Sequence, residues 1–204
     1  MNLTQRDRHL LQWINGHGFV TVQQAANWMD VCYFIGWRRL TRLTDAGYLQ
    51  HKRFEHAAPR VHWLTNQGWK ASGDHLKAPK AINRVTYFHD TMLVDLAQAL
   101  VAETGGVFTP ERRLRANLFA EGRKTKGHLP DGLLHPDGQK PIAIELESSV
   151  KGADRLRKIV TDYVVDTQLQ EVWYFVTNHG VRRMIERATR PYSGFQIRMW
   201  EAAR

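Results

Sequence analysis

The chain has 204 residues, 29 Lys and Arg against 20 Asp and Glu, a formal net charge of +9, and an apolar fraction of 43%. That composition excludes collagen-like and disordered chains, and the length suffices for one large or two small domains with cores of their own. The single cysteine, Cys32, excludes an intrachain disulfide and cysteine-rich structural zinc; no apolar run reaches the roughly 18–20 residues of a membrane helix, and MNLTQRDRHL lacks a signal-peptide core. A cytoplasmic protein without membrane insertion is expected, with a positive balance that suits a polyanionic partner.

Thr4 caps a predicted helix from Gln5, with Leu10, Leu11 and Ile14 at core spacing, that breaks at Gly16 and Gly18. Thr21 caps a shorter helix over 22–29, and Asp30 makes the tight turn into a third over 31–46. Trp37, Leu40 and Leu43 form the apolar stripe of that third helix, and Gly47 stops it in the left-handed region. YLQHKRF and RVHWLT have strand composition and, separated by EHAAP, predict a β-hairpin. KAPKAINR then reads as a linker, so a boundary near Ala78 to Asn83 divides the chain into domains 1–80 and 81–204. The first 80 residues hold 11 Lys and Arg against 5 Asp and Glu, which concentrates the basic surplus there.

Three helices followed by a hairpin is the order of the winged helix-turn-helix. LTRLTDAGYLQHKRFEHAAPRVHWLTNQG resembles the recognition helix, wing and trailing strand of such DNA-binding domains, and the resemblance covers nearly all of residues 4–72. It implies a third helix in the major groove, presenting Tyr33, Arg38, Arg39 and Arg42 off its buried stripe. Lys52, Arg53 and Arg60 would lie in the wing, beside the DNA backbone or minor groove. The alternative is a solvated helix face on a module used for protein contacts.

Beyond the linker, TYFHDTMLVDLAQALVAET predicts one amphipathic helix ending at Gly105 and Gly106, whereas FTPERRLRANLF is ambiguous and reads as a strand into a turn and a short helix. After the basic loop EGRKTKG, HLPDGLL and IAIELE predict two strands joined by HPDGQKP. Parity places Ile142, Ile144 and Leu146 on one face of the second strand and Ala143, Glu145 and Glu147 on the other. With Asp131 delivered from the preceding strand, three carboxylates converge, and charges so close repel unless protons or a cation neutralise them. Hard oxygens suit Mg²⁺ or Mn²⁺, and such an ion polarises a phosphodiester and lowers the pKa of a bound water. DRLRKIVTDYVVDTQ then predicts a basic amphipathic helix, and EVWYFVTN a strand buried in a sheet centre.

This α/β layout resembles the PD-(D/E)XK restriction-endonuclease-like fold, with Pro130 and Asp131 as its PD and Glu145 as the acid of the second strand. The motif's lysine, two residues on, is Glu147 here, and the nearest lysine is Lys151. The resemblance therefore implies Asp131 and Glu145 as holders of Mg²⁺ or Mn²⁺, Glu147 as a further ligand or base, and Lys151 as the group on the scissile phosphate or attacking water. Glu111 in PERRL resembles the additional metal-site acid that precedes the hairpin in many of these nucleases. Together FHD at 88–90, PERRLR at 110–115, HLPDG at 128–132, ELESSVK at 145–151, Tyr163 and VWYFV at 172–176 resemble the plasmid replication-relaxation family and related mobilisation relaxases.

What that resemblance implies is a sequence-specific DNA-binding protein of a plasmid or integrative element that nicks or processes an origin of transfer or replication. Its partners would be double-stranded DNA and other relaxosome or replication proteins, with Arg123, Lys124, Lys126, Arg155 and Lys158 along the DNA backbone. No tyrosine nucleophile is assigned among Tyr163, Tyr174 and Tyr192. The runner-up, favoured by the missing lysine, is a non-catalytic accessory or regulatory protein whose nuclease-like domain dimerises or recruits a partner. A restriction-type enzyme making double-strand breaks needs two sites and hence a homodimer. Residue by residue, Asp131 also reads as a turn residue, Glu145 and Glu147 as the solvated face of an edge strand, His128 as a structural hydrogen-bonding group and Tyr163 as core packing.

Overall fold

The two capping boxes at Thr4 and Thr21 start the first two helices in the computed structural model, which describes residues 2–123, 127–149 and 152–201. Among these residues the chain is mixed α and β, with eight helices and two sheets, and it divides into compact units that meet between Gln98 and Ala99.

In the first unit, α1 (Gln5–His17) begins where Thr4 accepts from the Asp7 backbone N–H and ends at Gly18, whose φ of 88° a side chain would resist. β1 (Val20–Thr21) leads into α2 (Val22–Trp28), and Asp30 turns the chain at φ 50° into α3 (Tyr33–Asp45). β2 (Leu49–Lys52) and β3 (Val61–Leu64) form the expected antiparallel hairpin, and β1 pairs with the other edge of β3, giving the order β1-β3-β2. A short helix α4 (Asn66–Ser72) follows, which sequence periodicity does not announce. Leu10, Leu11 and Ile14 of α1, Leu40 and Leu43 of α3, and Leu49 and Leu64 of the hairpin make the core.

The inward stripe of α3 differs from expectation. Trp37 is 42% exposed, and the buried positions are Gly36, Leu40 and Leu43. The reason is the closeness of α2: a Cβ on Gly36 would sit 2.7 Å from the Cβ of Ala26, so the contact admits only glycine and turns Trp37 outward.

α5 (Tyr87–Thr104) is the long helix expected, yet its first turns belong to the first unit rather than to a second domain starting near residue 81. Tyr87 stacks on Phe19 with ring centroids 5.6 Å apart, and the Gln24 amide donates to Thr91 O at 2.9 Å and to Asp95 Oδ1 at 2.8 Å. None of the described helices is long and apolar enough to cross a membrane.

In the second unit, FTPERRLRANLF forms the strand and helix read from it, β4 (Val107–Pro110) and α6 (Glu111–Ala120). β5 (Gly132–His135), β6 (Ile142–Glu147), α7 (Ala153–Val164), β7 (Glu171–Val176), α8 (His179–Thr189) and β8 (Phe195–Met199) follow; α8 and β8 lie beyond the elements expected. The sheet order is β4-β5-β6-β7-β8, antiparallel through β6 and parallel from β6 to β8, since α7 and α8 are crossovers that return each strand to the same direction. Leu156, Ile159 and Val160 of α7 and Val181 and Ile185 of α8 cover Ala143, Val172, Tyr174 and Val176.

Candidate functional site

Glu145 and Glu147 stand on β6, the middle strand of five, and only 1% and 5% of their surfaces are exposed. The alternative of a solvated edge strand is thereby overturned: parity does put both acids on the Ala143 face, but that face carries the α7–α8 core. In the parallel register Glu145 lies opposite Tyr174, and Glu147 opposite Val176.

Burial of a carboxylate without partners is expensive, and two neighbours offset it here. His128 Nε2 lies 2.5 Å from Glu145 Oε1, and the Tyr163 hydroxyl donates to the same oxygen. Burial still dominates: it holds the Glu145 carboxyl above the usual range against the hydrogen bond from His128, with the charge of Asp131 adding to the rise and Tyr163 opposing it. Burial first, and then the Glu145 charge, push the Tyr163 and Tyr174 hydroxyls far above the usual phenol value. Tyr163 is thus both a core residue of α7 and a partner of the acid, and deprotonation to a nucleophile is disfavoured at its position.

Asp131 immediately precedes β5. Its Oδ2 accepts from Leu146 N at 2.8 Å, and its carbonyl accepts from Glu111 N at 2.8 Å, which ties the start of α6 to the same corner. Gly132 is in strand rather than turn conformation, and the Phe108 ring lies where its side chain would be, with a built Cβ 2.1 Å from Cζ. The Glu111 carboxylate turns along α6 to pair with Arg115. Thus the chain of Glu111 adjoins Asp131 while its acid group is engaged elsewhere.

The oxygen donors are of the kind that suits a hard cation, and the Tyr174 hydroxyl, fully buried on the Glu145 face, has no hydrogen-bond partner among the described residues. The arrangement is different. Among the described residues no three His, Cys, Asp or Glu side chains are grouped so as to hold a metal ion, and the Glu145 oxygen that would face one is taken by His128 and Tyr163. As arranged, these residues do not fit Mg²⁺ or Mn²⁺. Lys151, Lys124 and Lys126 lie outside the described residues.

Arg123 pairs with Glu121 at 3.1 Å on the surface. Arg155 and Lys158 are exposed on α7, opposite its buried stripe. On α3, Tyr33, Arg38 and Arg42 are exposed, and the Arg38 guanidinium lies 5.9 Å over the Phe34 ring. Arg39 is different: its Nε donates to Asp7 Oδ1 at 2.6 Å, and its guanidinium also pairs with Oδ2. Burial pushes the Asp7 carboxyl up, but the hydrogen bonds of Arg39 and Thr4 outweigh it and hold the group below its usual value. Arg39 therefore locks α3 to α1. Lys52, Arg53 and Arg60 are exposed on the hairpin, Lys52 5.5 Å above the Phe54 ring.

Tyr174 is the site residue that sequence reasoning left without a role; its place opposite Glu145 in the strand pairing is the signal that finds it. Set against known protein families, curated proteins and solved structures, the chain has no match.

Proposed function

We propose that this chain is a sequence-specific DNA-binding protein of plasmid or integrative-element type, acting at an origin of transfer or replication through a winged helix-turn-helix joined to a nuclease-like unit. The observation that carries the proposal is α3: packed on α1 and α2 by Gly36, Leu40 and Leu43, it leaves Tyr33, Arg38 and Arg42 exposed beside a basic hairpin. A helix so placed has the reach to enter a major groove, where arginine pairs bidentately with guanine. The unit that follows supports the second half, because an antiparallel meander β4-β5-β6 continued by two parallel strands, with Asp131 just before β5 and Glu145 on the adjacent β6, is the layout expected of a PD-(D/E)XK core.

Two readings of that unit follow. The one favoured by the engagement of Glu145 with His128 and Tyr163 is an accessory role, in which the acid face is structural and the unit recruits or dimerises. The second is metal-dependent nicking with Mg²⁺ or Mn²⁺ at Asp131, Glu145 and Glu147, supported by the charges of all three acids reaching the buried Tyr174 hydroxyl. It requires Glu145 to leave its present partners. Incubation of a supercoiled plasmid carrying the element's own origin with either ion separates them. Metal-dependent relaxation that Glu145→Gln and Asp131→Asn both abolish establishes nicking, whereas tight binding without relaxation establishes the accessory role. If Arg38→Ala combined with Arg42→Ala leaves binding to the origin unchanged, α3 is not the reader.

A further inference from the structure

His62 sits near the middle of the first unit's sheet, on β3, with 3% of its surface exposed, and neither ring nitrogen has a hydrogen-bond partner among the described residues. A neutral imidazole carries one N–H donor and one acceptor, and leaving both unmet in a buried place costs stability. This ring is kept neutral: burial first, then the charges of His51 and Arg60, hold it down at about 4. His62 forms part of the wall of a cleft of about 400 Å³ between α3 and the hairpin, together with Tyr33 and Trp37 of α3 and His51, Arg53 and Arg60 of the hairpin.

That volume lies within the range of small-molecule sites, about 300–1,000 Å³. Its polar and apolar groups describe one kind of occupant. Two guanidiniums suit a phosphate, against the single carboxylate of Asp45; the exposed aromatic side chains of Tyr33 and Trp37 suit a flat ring; and the imidazole, whose nitrogens are closed to solvent as the cleft stands, meets a heteroaromatic edge when an occupant draws the ring toward it. An inorganic anion would use the arginines and leave Trp37 and His62 without a role. A fully paired base would present no free face to stack.

We propose that the cleft between α3 and the hairpin is a nucleotide site, in which the base of an unpaired nucleotide lies against Tyr33 and Trp37 with its edge on His62, and its phosphate is held by Arg53 and Arg60. The source is either a base displaced from a DNA strand or a free mononucleotide. Only the first source rests on the DNA-binding proposal.

Titration of the full chain with each 5′-deoxynucleoside monophosphate, with inorganic phosphate as the control, tests this by calorimetry and by the His62 ring resonances. At least one nucleotide should bind about tenfold or more tightly than phosphate and shift the His62 signals. Trp37→Ala and His62→Phe, the latter keeping a ring in the buried place, should each weaken binding about fivefold or more, as loss of a stacking partner does. Phosphate binding equal to that of every nucleotide, unshifted His62 resonances, or a His62→Phe variant that binds like wild type overturns the proposal. A duplex with one bulged nucleotide that binds more tightly than its fully paired counterpart, with the gain lost in Trp37→Ala, assigns the strand as the source; mononucleotide binding without that gain assigns the free nucleotide. Failure of the paired duplex to bind at all, with nucleotide binding intact, removes the DNA-binding proposal and leaves the site.

Discussion

Arg39 and His62 are single side chains whose surroundings, rather than their types, decide what they do. Arg39 carries charge on a helix otherwise free to face a polyanion, but Asp7 is buried and needs it. Arg39→Ala should therefore destabilise the chain by about 3 kcal/mol, the scale of a buried carboxylate losing its partner, as read from urea midpoints. Arg38→Ala, on the exposed face, should leave the midpoint within about 0.5 kcal/mol. His62 makes stability depend on pH. Its native value of about 4 lies below the ordinary 6.5, so between these values the unfolded chain takes up a proton that the native chain refuses. The groups of the cleft that face it are His51, Arg53 and Arg60 of the hairpin and Asp45 of α3. Stability contributed by the neutral ring is complete above pH 6.5 and is lost as the pH falls toward 4, by about 3 kcal/mol in all. Unfolding curves across that window should show the loss in wild type and a correspondingly flatter profile in His62→Phe.

At the scale of elements, α2 and α3 are closely packed at their junction in the first unit. Gly36 lies on Ala26 with no room for a methyl group, and this closeness fixes which side of α3 points outward. Gly36→Ala should destabilise by about 1–3 kcal/mol, the cost of overpacking, despite the better helix propensity of alanine. Thermal denaturation measures the loss; a variant as stable as wild type would mean that α2 moves aside freely. In the second unit, β6 is held on both sides by strands and covered by α7 and α8, so acids on it are removed from solvent whatever their charge.

For the whole molecule, the proposal of DNA binding together with the net charge of +9 predicts that binding to any duplex weakens with salt through release of counterions. The expected distinction lies in how variants alter that dependence. Lys52→Ala on the hairpin should weaken cognate and unrelated duplexes alike and reduce the slope of log affinity against log salt by about 1, whereas Arg38→Ala should weaken the cognate duplex selectively. Equal losses on both duplexes from Arg38→Ala would assign that residue to the phosphates. Fluorescence anisotropy over a salt series reads both quantities.

Local chemistry was legible in the amino-acid sequence: Thr4 and Thr21 as caps, Gly18 and Gly47 as stops, the hairpin flanking EHAAP, the long helix before Gly105 and the alternation on β6 all depend on residues within a few positions of one another. Asp131 before the first strand of its hairpin and Glu145 on the second were legible too, because a short connection joins the two strands; among the described residues no three such side chains are grouped as a metal site. What only the tertiary structure decided depends on partners distant along the chain. Asp7 claims Arg39 across 32 positions, Ala26 turns Trp37 outward, and His128 and Tyr163 close on Glu145 from a loop and a crossover helix. Periodicity reports which face of an element is apolar; it carries no record of which polar groups will be buried beside one another, since that is set by packing between elements and by the unfavourable energy of leaving a buried charge alone.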